Sequence, residues 1–382
     1  MRAQPDPQRA TRRIRLGMVG GGDGSFIGAA HRIAARIDDQ FELVAGALSS
    51  SPERAHASAV KLHINPERSY ASYEAMAQAE AQRSDGIDAV VVVTPNHLHV
   101  PVARAFAERG IHVICDKPLA TSLADARALA QVVQAHGLLF LLTHTYAGYP
   151  MVRQARELVQ AGELGELRIV QVEYAQDWLG EPVEQQGNKQ AEWRADPQRA
   201  GPAGALGDIG THAYQLARFV SGLQVQELSA DLSTFVPGRT LDDHVQAMLR
   251  FEGGARGMLW ASQVASGACN ALRLRVYGTR GSLHFDQEQP EQLWFAPQGQ
   301  PARLLRRGMA PHSVSLASES RIPAGHPEGY FEAFATLYRD FARAWRGGES
   351  GLMPGLRDGL DGMRFIEAVL DSHRQNARWV TL

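Results

Sequence analysis

Ile14-Arg15-Leu16-Gly17-Met18-Val19-Gly20-Gly21-Gly22-Asp23-Gly24-Ser25-Phe26-Ile27-Gly28 is a short apolar run that ends in glycines and passes at once into residues of helical spacing. A glycine-rich turn between a strand and a helix lets backbone N–H groups approach a pyrophosphate at the helix N-terminus, where the macrodipole favours negative charge. The dinucleotide spacing is G-x-G-x-x-G. It is met here when Asp23-Gly24-Ser25 is taken as an insertion, which leaves Gly20, Gly22 and Gly28 in the three glycine roles with Phe26 and Ile27 between the last two; Ser25, Phe26 and Ile27 are candidate cofactor contacts with them. A plain tight turn is the bland alternative, but the stretch lies in the first strand–helix–strand unit of the chain, where a phosphate loop belongs.

Working outward, continuous apolar runs alternate with helical stretches. Arg13 to Val19, Phe41 to Leu48, Ala89 to Thr94, Ile111 to Cys115 and Leu138 to Thr143 are strand-like; helical spacing spans 27–37, 52–61, 73–81, 100–109 and 123–136. Strands without polar alternation are covered on both faces, so the first domain, residues 13–145, is expected to be a doubly wound parallel α/β sheet. After a helix near Tyr149 to Gln160 the period changes. Leu167 to Asp177, Leu228 to Phe235, Asp243 to Phe251, Ala255 to Ala265 and Ala271 to Tyr277 alternate apolar and polar residues, and Gly253-Gly254 marks a hairpin turn. Residues 146–382 are therefore expected to form an α+β domain with a mainly antiparallel open sheet. Gln287 to Ser318 is expected to hold a strand or two in a long surface loop.

The chain has 382 residues, a prior of two domains at ~150 residues each, with 44% hydrophobic and 21% charged residues. Lys+Arg 39 against Asp+Glu 41 argues against a nucleic-acid partner, which needs a basic excess. Two distant cysteines, Cys115 and Cys269, rule out a disulfide framework and a cysteine-based zinc site as sequence readings. There is no apolar run of membrane-spanning length, and Met1 to Arg13 lacks the apolar core of a signal peptide, so a cytoplasmic protein is expected.

The second strand runs into Gly46-Ala47-Leu48-Ser49-Ser50-Ser51-Pro52-Glu53-Arg54, without the ribose-binding carboxylate common at that place. Ser49, Ser50 and Arg54 are suited to a 2′-phosphate, which favours NADP over NAD, although NAD stays possible. Ser51 before Pro52 is also a helix cap, and the two readings are compatible.

Thr94-Pro95-Asn96-His97-Leu98-His99, Cys115-Asp116-Lys117-Pro118-Leu119 and Gly207-Asp208-Ile209-Gly210-Thr211-His212 follow in order, and Tyr277-Gly278-Thr279-Arg280-Gly281-Ser282 comes later. With these motifs nearly the whole chain resembles the Gfo/Idh/MocA oxidoreductases, the group of glucose–fructose oxidoreductase and inositol dehydrogenase. The resemblance implies a Rossmann domain and a metal-independent dehydrogenase whose catalytic group is Lys117, Asp208 and His212. It implies cofactor contacts from Thr94, Pro95, Asn96, His99, Asp116 and Lys117 besides the glycine loop. Asp116 stands where the family more often has Glu. An imidazole can take a hydroxyl proton near neutrality, an ammonium can stabilise an alkoxide, and a carboxylate can orient either. If their segment is helical, Asp208 and His212 share one face. D-x-x-x-H is also a zinc-ligand spacing, but no third ligand is suitably placed.

Tyr146, Tyr149, Gln176, Trp178, Trp193 and Arg194 are candidate substrate contacts, since polar groups interleaved with aromatics suit a sugar or cyclitol; His326 joins them because it precedes Pro327, a favoured first helical residue, yet is itself a poor N-cap. Rim packing competes with that reading, and His144, in an apolar run, is expected to be a core histidine. The stripe Tyr330, Phe334, Tyr338, Phe341 and Trp345 has helical spacing and belongs to a core. An uncovered face of the second sheet, at Val245 to Met258, predicts a homodimer or homotetramer. A non-catalytic dinucleotide sensor of the same fold is the alternative from another class; it would have no need of Lys117, Asp208 and His212 together.

Overall fold

The computed structural model describes residues 12–309 and 319–382. The expected N-terminal tail up to residue 11 and the 310–318 part of the expected surface loop lie outside the described residues. The chain divides into two units: the first comprises residues up to Thr145 with Phe331–Leu360, the second Tyr146–Tyr330 with Asp361–Leu382.

In chain order the first unit holds β1 (Ile14–Gly20), α1 (Phe26–Ile37), β2 (Phe41–Ala47), α2 (Pro52–Lys61), α3 (Tyr73–Gln82), β3 (Ala89–Val93), α4 (His99–Ala107), β4 (His112–Cys115), α5 (Leu123–Ala135) and β5 (Phe140–Leu142). The strands are parallel in the order β2-β1-β3-β4-β5. All of β3 is buried, as a run of valines with both faces covered must be. The order reverses between β1 and β3, and open α/β sheets take their ligands at the carboxyl ends beside such a reversal.

In the second unit come α6 (Pro150–Gln160), β6 (Leu167–Ala175), α7 (Lys189–Ala195), α8 (Pro197–Ala200), a π-turn (Leu206–Gly210), α9 (Thr211–Ser221), β7 (Val225–Ser233), β8 (His244–Phe251), β9 (Arg256–Ser262), β10 (Ala271–Gly278), β11 (Gly281–Asp286), β12 (Gln292–Pro297) and β13 (Arg303–Arg306). Then follow α10 (Tyr330–Trp345), α11 (Leu356–Arg374) and β14 (Val380–Thr381). The described strands form one sheet in the order β13-β12-β11-β10-β6-β9-β8-β7-β14, antiparallel except for the parallel pair β6–β9. On β8, Val245, Ala247, Leu249 and Phe251 are buried while Gln246 and Met248 face outward, the alternation expected of a sheet covered on one side. Gly253 and Gly254, both at positive φ, close the β8–β9 connection.

One expectation is corrected. A single cut at residue 145 leaves out Phe331–Leu360, which returns to the first unit. The aromatic stripe of α10 explains this. Phe334, Tyr338 and Phe341 are buried; Phe41 meets the rings of Tyr338 and Phe341 at 5.0 and 6.1 Å, and His31 meets Phe334 at 4.7 Å. The stripe's core is therefore built from residues some 300 positions upstream, a pairing that periodicity along one helix does not reveal.

Candidate active site

The glycine loop is shaped by what it excludes. At Gly20, φ is +74° and a side chain's Cβ would lie 2.2 Å from Val93 O; at Gly28 it would lie 2.3 Å from Gly21 O, and at Gly22 2.7 Å from Leu48 O. The three glycines singled out in the sequence thus line a cradle that a methyl group would fill, beside the N-terminus of α1, which suits a pyrophosphate. Ser25 caps that helix, its hydroxyl accepting from Gly28 N at 3.1 Å. The insertion is pinned to α2, because Asp23 N donates to Ser58 Oγ at 3.0 Å and Lys61 pairs with the Asp23 carboxylate. Phe26 is exposed, at 67% of its surface.

After β2, Ser51 accepts from Arg54 N and donates to Glu53, so this serine is committed to capping α2. Ser49 accepts from Ser51 N at 3.2 Å, while Ser50 and Arg54 are exposed.

His99 differs from the expectation of a cofactor contact. It is 1% exposed, with Nδ1 2.7 Å from Pro118 O and Nε2 3.0 Å from Thr94 O. Both ring nitrogens face carbonyls, one in the 94–99 loop and one in the Asp116-Lys117-Pro118 turn, and a neutral ring donates to one of them. Burial holds its imidazole below the usual range. Asp116 is tied down too: its Oδ1 accepts from His31 Nε2 at 3.0 Å and from Thr143 Oγ1 at 2.7 Å. Burial opposes its ionisation, but the His31 ring, together with the hydrogen bonds from His31 and Thr143, prevails and its carboxyl sits below the ordinary range. Lys117, between these two anchored residues, is half-buried.

In the second unit, Asp208 sits in the π-turn that leads into α9, so it does not share a regular α-helical face with His212 as a plain helix would have it. Such turns recur at functional sites. Asp242 anchors it, accepting from Gly204 N at 2.6 Å and Leu206 N at 2.7 Å. Burial pushes the Asp242 carboxyl up to about 6.

A continuous web of side chains surrounds Asp208. Its Oδ2 accepts from Arg194 Nε at 3.0 Å and Gln263 Nε2 at 2.9 Å. Arg194 also lies over the Trp193 ring at 4.2 Å and the Trp178 ring at 5.7 Å. Trp178 donates to Gln176 Oε1 at 3.0 Å, and Asn270 Oδ1 accepts from Gln176 Nε2 and Tyr174 OH, each at 2.7 Å. Tyr174 and Tyr146 share a hydroxyl–hydroxyl hydrogen bond, and the His212 ring stands edge-on to Tyr146 at 4.9 Å and Tyr174 at 6.3 Å. Burial raises both phenols far above their usual range.

The web brings together Tyr146, Gln176, Trp178, Trp193, Arg194, Asp208 and His212. Tyr149 belongs to its buried support: it is 2% exposed, stacks on Tyr146 and accepts from Gln287 Nε2 at 3.3 Å. Tyr146, at 4% exposed, is likewise enclosed. His326 stays outside. It lies exposed in a turn whose carbonyl accepts from Arg307, and the helix opens only at Tyr330, so Pro327 is not its first residue. Sequence reading missed Tyr174, Gln263 and Asn270. Tyr174 was one more alternating strand residue, and Gln263 and Asn270 belong to no motif.

Comparison with known proteins gives the family. Residues 14–144 match the oxidoreductase family with an NAD-binding Rossmann fold, and residues 152–284 match the GFO/IDH/MocA C-terminal domain. The chain belongs to the Gfo/Idh/MocA oxidoreductase family. A crystal structure of an oxidoreductase from Sinorhizobium meliloti is 50% identical, covers 97% of this chain and 99% of that one, and superposes with a TM-score of 0.89. An inositol dehydrogenase homologue from Azotobacter vinelandii, solved with NADH and myo-inositol, is 38% identical over 98% of this chain and 99% of that one, TM-score 0.92. Levoglucosan dehydrogenase of Pseudarthrobacter phenanthrenivorans is 30% identical, covering 96% of this chain and 97% of that one. The chain is thus an NAD-binding oxidoreductase, a dehydrogenase acting on CH–OH groups, rather than a sensor. No described helix is long and apolar enough to cross a membrane.

Proposed function

We propose that the enzyme oxidises a secondary hydroxyl of a sugar or cyclitol, or reduces the matching ketone, with NADP and without a metal. The supporting observation is the web around Asp208: amide donors and acceptors from Gln176, Gln263 and Asn270 beside the Trp178 indole and the Arg194 guanidinium. Hydroxyls need such partners, and the apolar face of a ring stacks on an indole. The relatives solved with myo-inositol or named for levoglucosan support the substrate class.

Gly20, Gly22 and Gly28 with the N-terminus of α1 would hold the pyrophosphate, and Ser49, Ser50 and Arg54 the 2′-phosphate. When bound, the nicotinamide supplies the two-electron redox chemistry. In this reading His212 takes the hydroxyl proton, Lys117 stabilises the oxygen as it becomes an alkoxide, and Asp208, held by Arg194, orients the substrate. NAD is the second reading, favoured by the relative solved with NADH. A cytoplasmic location goes with both, and the two cysteines are free thiols.

The same proposal includes a homodimer or homotetramer through the outer face of the second sheet. Met248 and Met258, directly paired across β8–β9, are 53% and 51% exposed, and Ile169 and Trp294 are 44% and 46% exposed. Light scattering at micromolar concentration should show at least a dimer; a monomer refutes that part.

A panel of sugars and cyclitols that includes myo-inositol and levoglucosan, read by nicotinamide absorbance with each cofactor, tests the rest. Turnover of a member is expected, with a pH profile for oxidation that flattens in His212→Asn. NADPH should bind ~10-fold or more tightly than NADH if one charge-assisted bond to the phosphate forms. Equal affinities would hand the site to NAD, and a panel without turnover would remove the substrate class.

A further inference from the structure

We infer that His31 and Tyr338 are positioning residues for Lys117, acting through Asp116. The inference rests on the proposed role of Lys117. His31 lies on α1, is 0% exposed and is spanned by two hydrogen-bonding neighbours: Tyr338 OH 2.7 Å from Nδ1 and Asp116 Oδ1 3.0 Å from Nε2. Thr143 adds a second donor to the same carboxylate oxygen at 2.7 Å. The tyrosine comes from α10, 307 positions along the chain, and its ring is seated on Phe41.

A fully buried imidazole needs a partner at each nitrogen, and here it has both. With Nε2 as the N–H donor to the carboxylate, Nδ1 accepts from the phenol. Asp116 is held as an acceptor with a fixed orientation, while its side chain keeps 16% exposure. The next residue is Lys117. On the far side of that lysine, the carbonyl of Pro118 is held by the buried His99. The lysine's backbone is thus gripped one residue before and one residue after by two histidines that never touch a ligand. Helix α10 enters this grip through a single phenolic oxygen, so the return of the chain to the first unit bears on the turn that carries Lys117. Neither His31 nor Tyr338 belongs to the motifs that mark the family in this sequence.

Lysine reactivity tests this without a substrate. The chain has three lysines, Lys61, Lys117 and Lys189, and the exposed Lys61 and Lys189 are internal standards. Trace acetic anhydride, read by peptide mass spectrometry, gives the rate at Lys117 relative to both. Removing the donor to Asp116 in His31→Leu should change that ratio by ~3-fold or more, and Tyr338→Phe should shift it less but in the same direction. His31→Gln, whose amide N–H can replace Nε2 as donor, should return it close to wild type. Thermal unfolding identifies variants that fail to fold; if His31→Leu is one, Tyr338→Phe, which keeps its ring on Phe41, decides. An unchanged ratio in the folded variants, or His31→Gln behaving like His31→Leu, overturns the inference. If the ratio moves but Lys117→Ala turns over normally, the relay stands and the catalytic reading of Lys117 is what fails.

Discussion

The Asp116-Lys117-Pro118 turn and the Asp208 π-turn both present charged side chains, but they are supported in opposite ways. The first is gripped by buried imidazoles and a hydroxyl, His31, His99 and Thr143, each 2% exposed or less. The second is held by one buried amide, Gln263, and one partly exposed guanidinium: Arg194 and Asp208 are 24% and 17% exposed where they pair. A buried hydrogen bond is costly to leave unmade, so the first support is rigid and tolerates little change. An exposed pair is screened by water and can be re-formed with other groups. Under the proposed function, the cofactor would meet the first turn and the substrate the second.

The largest effect should come from the rigid side. Lys117→Ala is expected to lower turnover by ~10²-fold or more with NAD(P)H affinity close to wild type, because one donor at a developing oxyanion is worth that much. Steady-state rates and fluorescence titration check both halves, and near-normal turnover breaks the assignment.

Asp242 sharpens the account of the second turn, because this buried carboxyl accepts from Gly204 N and Leu206 N at its start. Its folded pKa of about 6 is above the ordinary 3.8. The folded protein therefore binds that proton more tightly than the unfolded chain. Its stabilising contribution is complete below pH ~4 and is lost as pH rises through ~6. Measured by urea unfolding, wild-type stability relative to Asp242→Asn should fall by on the order of 2–3 kcal/mol between pH 4 and 7. A pH-independent difference would mean that the π-turn does not hang on a buried ionising group.

The smallest effect belongs to the exposed pair. Arg194→Gln should lower kcat/KM by ~10-fold, since a partly solvated charge-assisted bond is lost while Gln263 still holds Asp208. A loss as large as that of Lys117→Ala would erase the contrast between the two turns.

Much of the first unit was legible in the chain. Each of its strands lies where a continuous apolar run stands, because burial on both faces leaves no place for polar residues. Gly20, Gly22 and Gly28 were legible because steric exclusion is a property of a single residue type. Ser51 and Pro52 announced the start of α2 for the same local reason. His99 and Tyr149 misled, since a motif position and a location near a strand end do not say whether a side chain faces a ligand or the interior. His326 misled because Pro327 marks a helix start only if the next turn follows at once, and here it does not.

The sequence by itself determined the strand periods, the glycine loop, the caps and the order of the motifs, all of which depend on residues within one turn or one strand of each other. Tertiary structure alone decided that α10 completes the first unit, that Tyr338 and His31 reach Asp116, and that Gln263 and Asn270 join Asp208 and Gln176. Hydrogen bonds and ring contacts between residues tens to hundreds of positions apart leave no spacing to read. They exist because loop closure costs grow only slowly with chain length, while the burial they complete is local in space.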